Sequence, residues 1–147
     1  MAFLVEVALV GAAASARIVI ERSRGLVHVG SDLFDYYVPN FAWWWRSPRW
    51  LGGWNPWIFG GYPANADPEI GQLHPLGALY ALFAPLTAAT IEGALVPALA
   101  GIGMLVYLWQ IGCGRTARLV GALSFGLGGF VAAQAPHASV LRTAATV

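Results

Sequence analysis

Long uncharged runs alternate along this chain with one polar, aromatic and turn-rich stretch. A bilayer span needs about 20 mostly apolar residues to cross about 30 Å of hydrocarbon. GALVPALAGIGMLVYLWQI, residues 93–111, meets that length without a charge, ends on Tyr107 and Trp109 as interfacial anchors, and holds Pro97, which a buried helix tolerates. LVGALSFGLGGFVAAQA, residues 119–135, is shorter but also uncharged, and Gly121, Gly126, Gly128 and Gly129 give it small faces where neighbouring helices can approach. AFLVEVALVGAAASARIVI, residues 2–20, contains Glu6 and Arg17, each close enough to an end to reach water. Ala14-Ser15-Ala16 also matches a signal-peptidase site, but no basic residue precedes Glu6, which favours a retained helix. The pattern predicts an all-α membrane protein with polytopic transmembrane helices.

Between the first and second spans lies a long first loop, residues 22–92, holding most of the Trp, Pro, Asp and His. Its LFDYYVPNFAWWWRSPRW stretch sets aromatic rings beside Arg46 and Arg49, which suits a juxtamembrane helix lying in the headgroup layer. LGGWNPWIFGGYPANADPEIGQLHPL follows as an ordered loop with successive Gly and Pro turns. Residues 76–91, LGALYALFAPLTAATI, are uncharged but broken by Pro85 and read as a re-entrant or juxtamembrane helix leading into the second span. With three spans, Arg115 and Arg118 fall in the cytoplasm and the long loop is extracytoplasmic, but Arg17, Arg22 and Arg24 then lie outside. If residues 76–91 also cross, both arginine clusters lie inside and the loop faces the cytoplasm, so charge alone leaves both orientations open.

Composition narrows the classes further. The 147 residues are 58% hydrophobic and only 10% charged, with a mean hydropathy of +0.62, whereas a soluble domain is nearer a quarter charged. The net charge of +1 leaves no basic face for a nucleic acid partner. The lone Cys113 excludes a disulfide framework or a cysteine metal site and reads as small apolar filler.

SDLFDYYVPNF, then WNPWIFGGYPANADPEIGQLHPLGALYALF, then a glycine-rich span, a basic turn and GLGGFVAAQAPH together resemble the N-terminal portion of the bacterial YfhO-like membrane proteins of the GT-C glycosyltransferase superfamily. The resemblance covers most of the chain from about Gly30 onward. It implies a multi-pass protein of the bacterial inner (cytoplasmic) membrane whose long extracytoplasmic first loop carries an acidic catalytic motif. It also implies transfer of a sugar from a polyprenyl-phosphate donor to a cell-envelope glycan acceptor. Family members are several times longer, and this sequence stops at Arg142-Thr-Ala-Ala-Thr-Val inside what reads as a further helix. Residues 1–147 are therefore expected to be the N-terminal part of one polytopic domain, not active alone.

Within that chemistry, transfer to a hydroxyl needs a carboxylate to take the proton or hold a metal, and a cation beside the departing phosphate. Asp32, at the position of the family's loop acid, is the expected catalytic carboxylate; its competing role is to cap the helix opening at LFDYY, as Ser31 would. Asp35 shares a helical face with Asp32, so the two would bind a divalent ion, Mg or Mn, with Asp67 or Glu69 as a further ligand, or Asp35 is a solvated first-turn acid. Arg46 and Arg49 are candidate phosphate ligands or headgroup contacts. His74 and His137 fall on the loop's side in the three-span arrangement, where one of them would meet the acids, against the commoner structural role of a single His. Trp54 and Asn55 are candidate substrate contacts, though WNP and FGGYP are equally accounted for as the fold of the loop. The competing function is a membrane transporter or lipid-carrier translocase, in which acids and Pro-broken helices line a path across the bilayer.

Overall fold

Twenty-two residues without a proline, opening on Ala-Phe-Leu-Val, form α1 (Ala2–Ser23), about 33 Å long at 1.5 Å per residue. The computed structural model describes residues 1–24, 32–47, 53–67, 69 and 74–146. A π-helical turn, Leu33–Tyr37, runs directly into α2 (Val38–Arg46). A short antiparallel pair follows, β1 (Trp54–Asn55) against β2 (Tyr62–Pro63), with Trp54 opposite Pro63 and Asn55 opposite Tyr62. Two 3₁₀ turns, Ala64–Ala66 and Pro75–Ala78, lead to the one-turn α3 (Leu79–Leu82). Then come α4 (Pro85–Gln110), α5 (Arg115–Gly126), α6 (Gly129–Ala133) and α7 (Ala138–Thr146).

Among the described residues, three helical stretches are long and apolar enough to cross a membrane: Ala2–Glu21, Pro85–Gln110 and Arg115–Ala133. They overlap the expected spans, with two differences. The middle helix begins eight residues before the expected Gly93, at Pro85, whose fixed φ and missing N–H suit a helix start. It therefore takes in the second part of residues 76–91, from Pro85 on, and carries Glu92 inside it. The third stretch is interrupted at Leu127 and Gly128, between α5 and α6.

α4 lies between α1 and α5, and the closest approach comes where side chains are smallest. A Cβ added at Gly126 would stand 3.0 Å from the Pro97 carbonyl, 3.1 Å from Gly101 Cα and 3.3 Å from Ala14 Cβ. Leu4, Leu9, Val19, Leu95, Leu99 and Val120 meanwhile project outward from the same helices. Pro97 removes one amide from the α4 ladder, the one that would reach the Gly93 carbonyl, and one residue on the Ser15 hydroxyl of α1 stands 3.1 Å from the Ala94 carbonyl.

At one end of the bundle, Glu6 of α1 accepts from Arg118 of α5 through both carboxylate oxygens, at 2.6 and 2.9 Å, and Arg115 stands 3.0 Å away. The described parts of the loop that pack against α4, among them α2 and α3, and α7 gather at the other end. There Tyr37, Phe41 and Tyr80 are fully buried, with ring centroids 5.9 Å (Tyr37–Phe41) and 5.1 Å (Phe41–Tyr80) apart.

Gly126→Val is expected to lower stability by about 1–3 kcal/mol through overpacking, read as a lower unfolding midpoint in detergent. Gly103→Val, where an added Cβ meets nothing within 4 Å, should shift it by no more than about 0.5 kcal/mol. Equal effects of the two would contradict this packing.

Candidate functional site

The polar cap is built where the π-helical turn meets the turn between α6 and α7. The wider helical turn over Leu33–Tyr37 carries Asp32 at its N-cap position, but the Asp32 side chain makes no capping bond. Instead, Asp32 Oδ2 lies 3.2 Å from His137 Nε2, with the two side chains 66% and 39% exposed. A carboxylate in that position accepts from the Nε2 proton and leaves its other oxygen toward solvent.

The two tyrosines next along are each tied to an acid from the loop. Tyr36 donates to Asp67, and its oxygen also stands 3.2 Å from the Tyr62 hydroxyl. Tyr37 donates to Glu69 Oε1 at 2.7 Å and lies 3.0 Å from the Ser139 hydroxyl of α7. Burial, and then the bonded acid, raises both phenols: Tyr36 well above its usual range and Tyr37 to about 12. Both are therefore neutral donors at physiological pH.

Behind this pair is a buried charge network. Glu92 of α4 accepts from Arg142 Nε at 2.5 Å and from the Tyr80 hydroxyl at 3.0 Å, and the Arg142 guanidinium lies 3.8 Å from the Phe41 ring centroid. Burial first, and then Glu92, pushes the Tyr80 phenol up. His74 caps the 3₁₀ turn at Pro75, its Nδ1 accepting from the Leu76 amide at 3.3 Å. Burial and then the Arg142 charge hold His74 below the ordinary imidazole value, with Glu92 acting in the opposite direction.

Of the sequence candidates, Asp32 and His137 are brought together and His74 lies by the buried network. Asp35 is exposed, and no three His, Cys, Asp or Glu side chains among the described residues gather as metal ligands. Asp67 and Glu69, expected as further metal oxygens, accept from the tyrosines instead.

Arg46 donates to the Tyr80 carbonyl at 2.9 Å and the Phe83 carbonyl at 2.5 Å, closing the C-terminal end of α3 where free carbonyls accumulate. Two of its five N–H donors are turned to backbone, and the residue is exposed. Arg49 lies outside the described residues. Asn55 is fully buried, donating to Asn40 Oδ1 at 3.1 Å and accepting from the Trp57 amide at 3.0 Å, so it ties the β hairpin to α2. Trp54 is 58% exposed and its ring covers Gly61 at φ +113°, where an added Cβ would stand 2.9 Å from the indole. Tyr36, Tyr37, Tyr80, Glu92, Ser139 and Arg142 are additions that sequence spacing did not single out. The faint signal for Glu92 was an acid at the edge of an uncharged run.

Because Tyr37's folded value lies above its ordinary 10.0, the stability it supplies is complete below pH 10 and is lost as pH rises toward about 12. Tyr37→Phe is expected to remove that component of alkaline unfolding, followed by circular dichroism across this window. An unchanged alkaline profile would contradict the buried phenol. The chemistry of the site stands on this geometry alone, for no family model, curated protein or solved structure matches the chain.

Proposed function

We propose that the chain is part of a multi-pass bacterial cytoplasmic-membrane glycosyltransferase of the GT-C type, transferring a sugar from a polyprenyl-phosphate donor to a cell-envelope acceptor. The observation that carries this reading is the Asp32 carboxylate. It is exposed, makes no cap and is oriented by His137, at the end of a bundle built from apolar helices. In this reading α1, α4 and the α5–α6 stretch cross the bilayer with Arg115 and Arg118 in the cytoplasm and Arg17, Arg22 and Arg24 outside, an orientation taken from the resemblance and not from the charge pattern. The loop and α7 are then extracytoplasmic, where donors are carried on lipid.

Asp32 takes the acceptor hydroxyl proton as the acceptor oxygen bonds to the anomeric carbon, and the sugar–phosphate bond pair leaves with the lipid phosphate. His137 Nε2 stands within donating distance of Asp32 Oδ2, which leaves Oδ1 for the acceptor. A mostly apolar slot of about 70 Å³ between α1, α4 and α6 lies beside Leu33, the residue after Asp32.

A second reading, a transporter or lipid-carrier translocase, draws on Glu92, an acid buried inside a long apolar helix. It predicts that Glu92 is essential and Asp32 is not.

Asp32→Asn, at normal expression in the host cell, is expected to lower surface glycosylation by about 10²–10⁴-fold, the usual contribution of a positioned base. Unchanged glycosylation would remove the catalytic assignment, and loss of substrate flux in Glu92→Gln alone would favour the translocase.

A further inference from the structure

We propose that the Glu92–Arg142 ion pair is a positioning device for the catalytic carboxylate: it clamps α7 to α4 and thereby sets His137 against Asp32. The inference rests on the reading of Asp32 as proton acceptor and adds residues which that reading leaves unused.

α7 is described over Ala138–Thr146, and a helix takes its place in a fold from its tertiary contacts. Three side chains on or just before it reach three different partners: His137 to Asp32, Ser139 to Tyr37 and Arg142 to Glu92. These contacts are not of equal strength. The first joins two solvent-exposed groups, and exposed pairs constrain little. The last joins two side chains that are 3% and 7% exposed, where separation leaves a charge in an apolar setting. Control therefore runs from the buried pair outward.

The remaining groups around the pair reinforce its geometry. Tyr80 occupies the second Glu92 oxygen, so the carboxylate cannot rotate without losing a bond. Phe41 lies under the guanidinium, and Phe41 is one helical turn beyond Tyr37 on α2. Arg142 thus reads both α4 and the helix that begins at Asp32. His137 precedes Arg142 by five residues, about 7.5 Å along a helix axis, so a helix pinned at Arg142 presents His137 at a fixed height. Glu92, Arg142 and Tyr80 do not touch the reacting atoms and are positioning residues.

The test measures position apart from activity. In a Cys113→Ser background, Asp32→Cys and His137→Cys are joined by a short bifunctional thiol reagent, longer than a disulfide because the native pair meets across a whole imidazole. Glu92→Gln or Arg142→Met should cut crosslinking at least fivefold, and the charge swap Glu92→Arg with Arg142→Glu should restore most of it. With Asp32 and His137 intact, Glu92→Gln should lower kcat with little change in KM, and Glu92→Asp should retain most of the rate. If Glu92→Gln is not recovered folded, Tyr80→Phe, which removes one bond to Glu92, should lower crosslinking two- to threefold. Crosslinking unchanged in these variants overturns the proposal. Crosslinking lost in a protein with no transferase activity leaves the positioning intact and removes only the catalytic reading.

Discussion

An acid buried inside an apolar helix must find a cation, and among the described residues two acids, Glu6 and Glu92, are buried in this way. Glu6 of α1 is met by Arg118 and Arg115 near the start of α5, and Glu92 of α4 is met by Arg142 of α7. Each pair joins helices far apart in sequence, and in surroundings of low dielectric an unpaired charge is costly. The two pairs act as registration marks at opposite ends of the bundle. One fixes where α1 and α5 begin relative to each other, and the other fixes how α7 returns against α4. Small residues at Ala14, Gly101 and Gly126 then let the helices come close enough for both marks to be satisfied.

The candidate site follows from the second mark. Once α7 is held against α4, His137 and Ser139 face the segment that begins at Asp32, and the loop acids Asp67 and Glu69 are fastened through Tyr36 and Tyr37. The tyrosines stay neutral because buried phenols beside carboxylates resist ionisation. They donate to those acids without adding charge. Asp32, by contrast, is exposed beside His137.

Much of the helical frame was legible in the sequence, since apolar runs report their own length. Its edges were not. Glu92 made residues 93–111 look like the whole second span, because a lone charge reads as a boundary until its partner is known, and Arg142 stands fifty residues away. The glycines of GLGG read as a packing face, yet Gly128 sits where an added Cβ would be 2.6 Å from the Ser124 carbonyl, at the break between α5 and α6. Spacing also cannot show that Arg46 reaches the Tyr80 and Phe83 carbonyls, more than thirty residues on. Asp32 was visible as either a cap or a functional acid, and its turn toward His137 depends on a contact more than a hundred residues long.

The central claim is that the acid-bearing end of the bundle faces the outside of the cell while the Glu6 end faces the cytoplasm. Labelling with a membrane-impermeant maleimide tests it most directly, in intact cells carrying Cys113→Ser and a single new cysteine. The sites are Trp57, 83% exposed in the β hairpin, or Thr116, at the start of α5. The account predicts that Trp57→Cys is labelled in intact cells and Thr116→Cys only after permeabilisation. Labelling of Trp57→Cys only after permeabilisation, or of both sites from the same side, would contradict it.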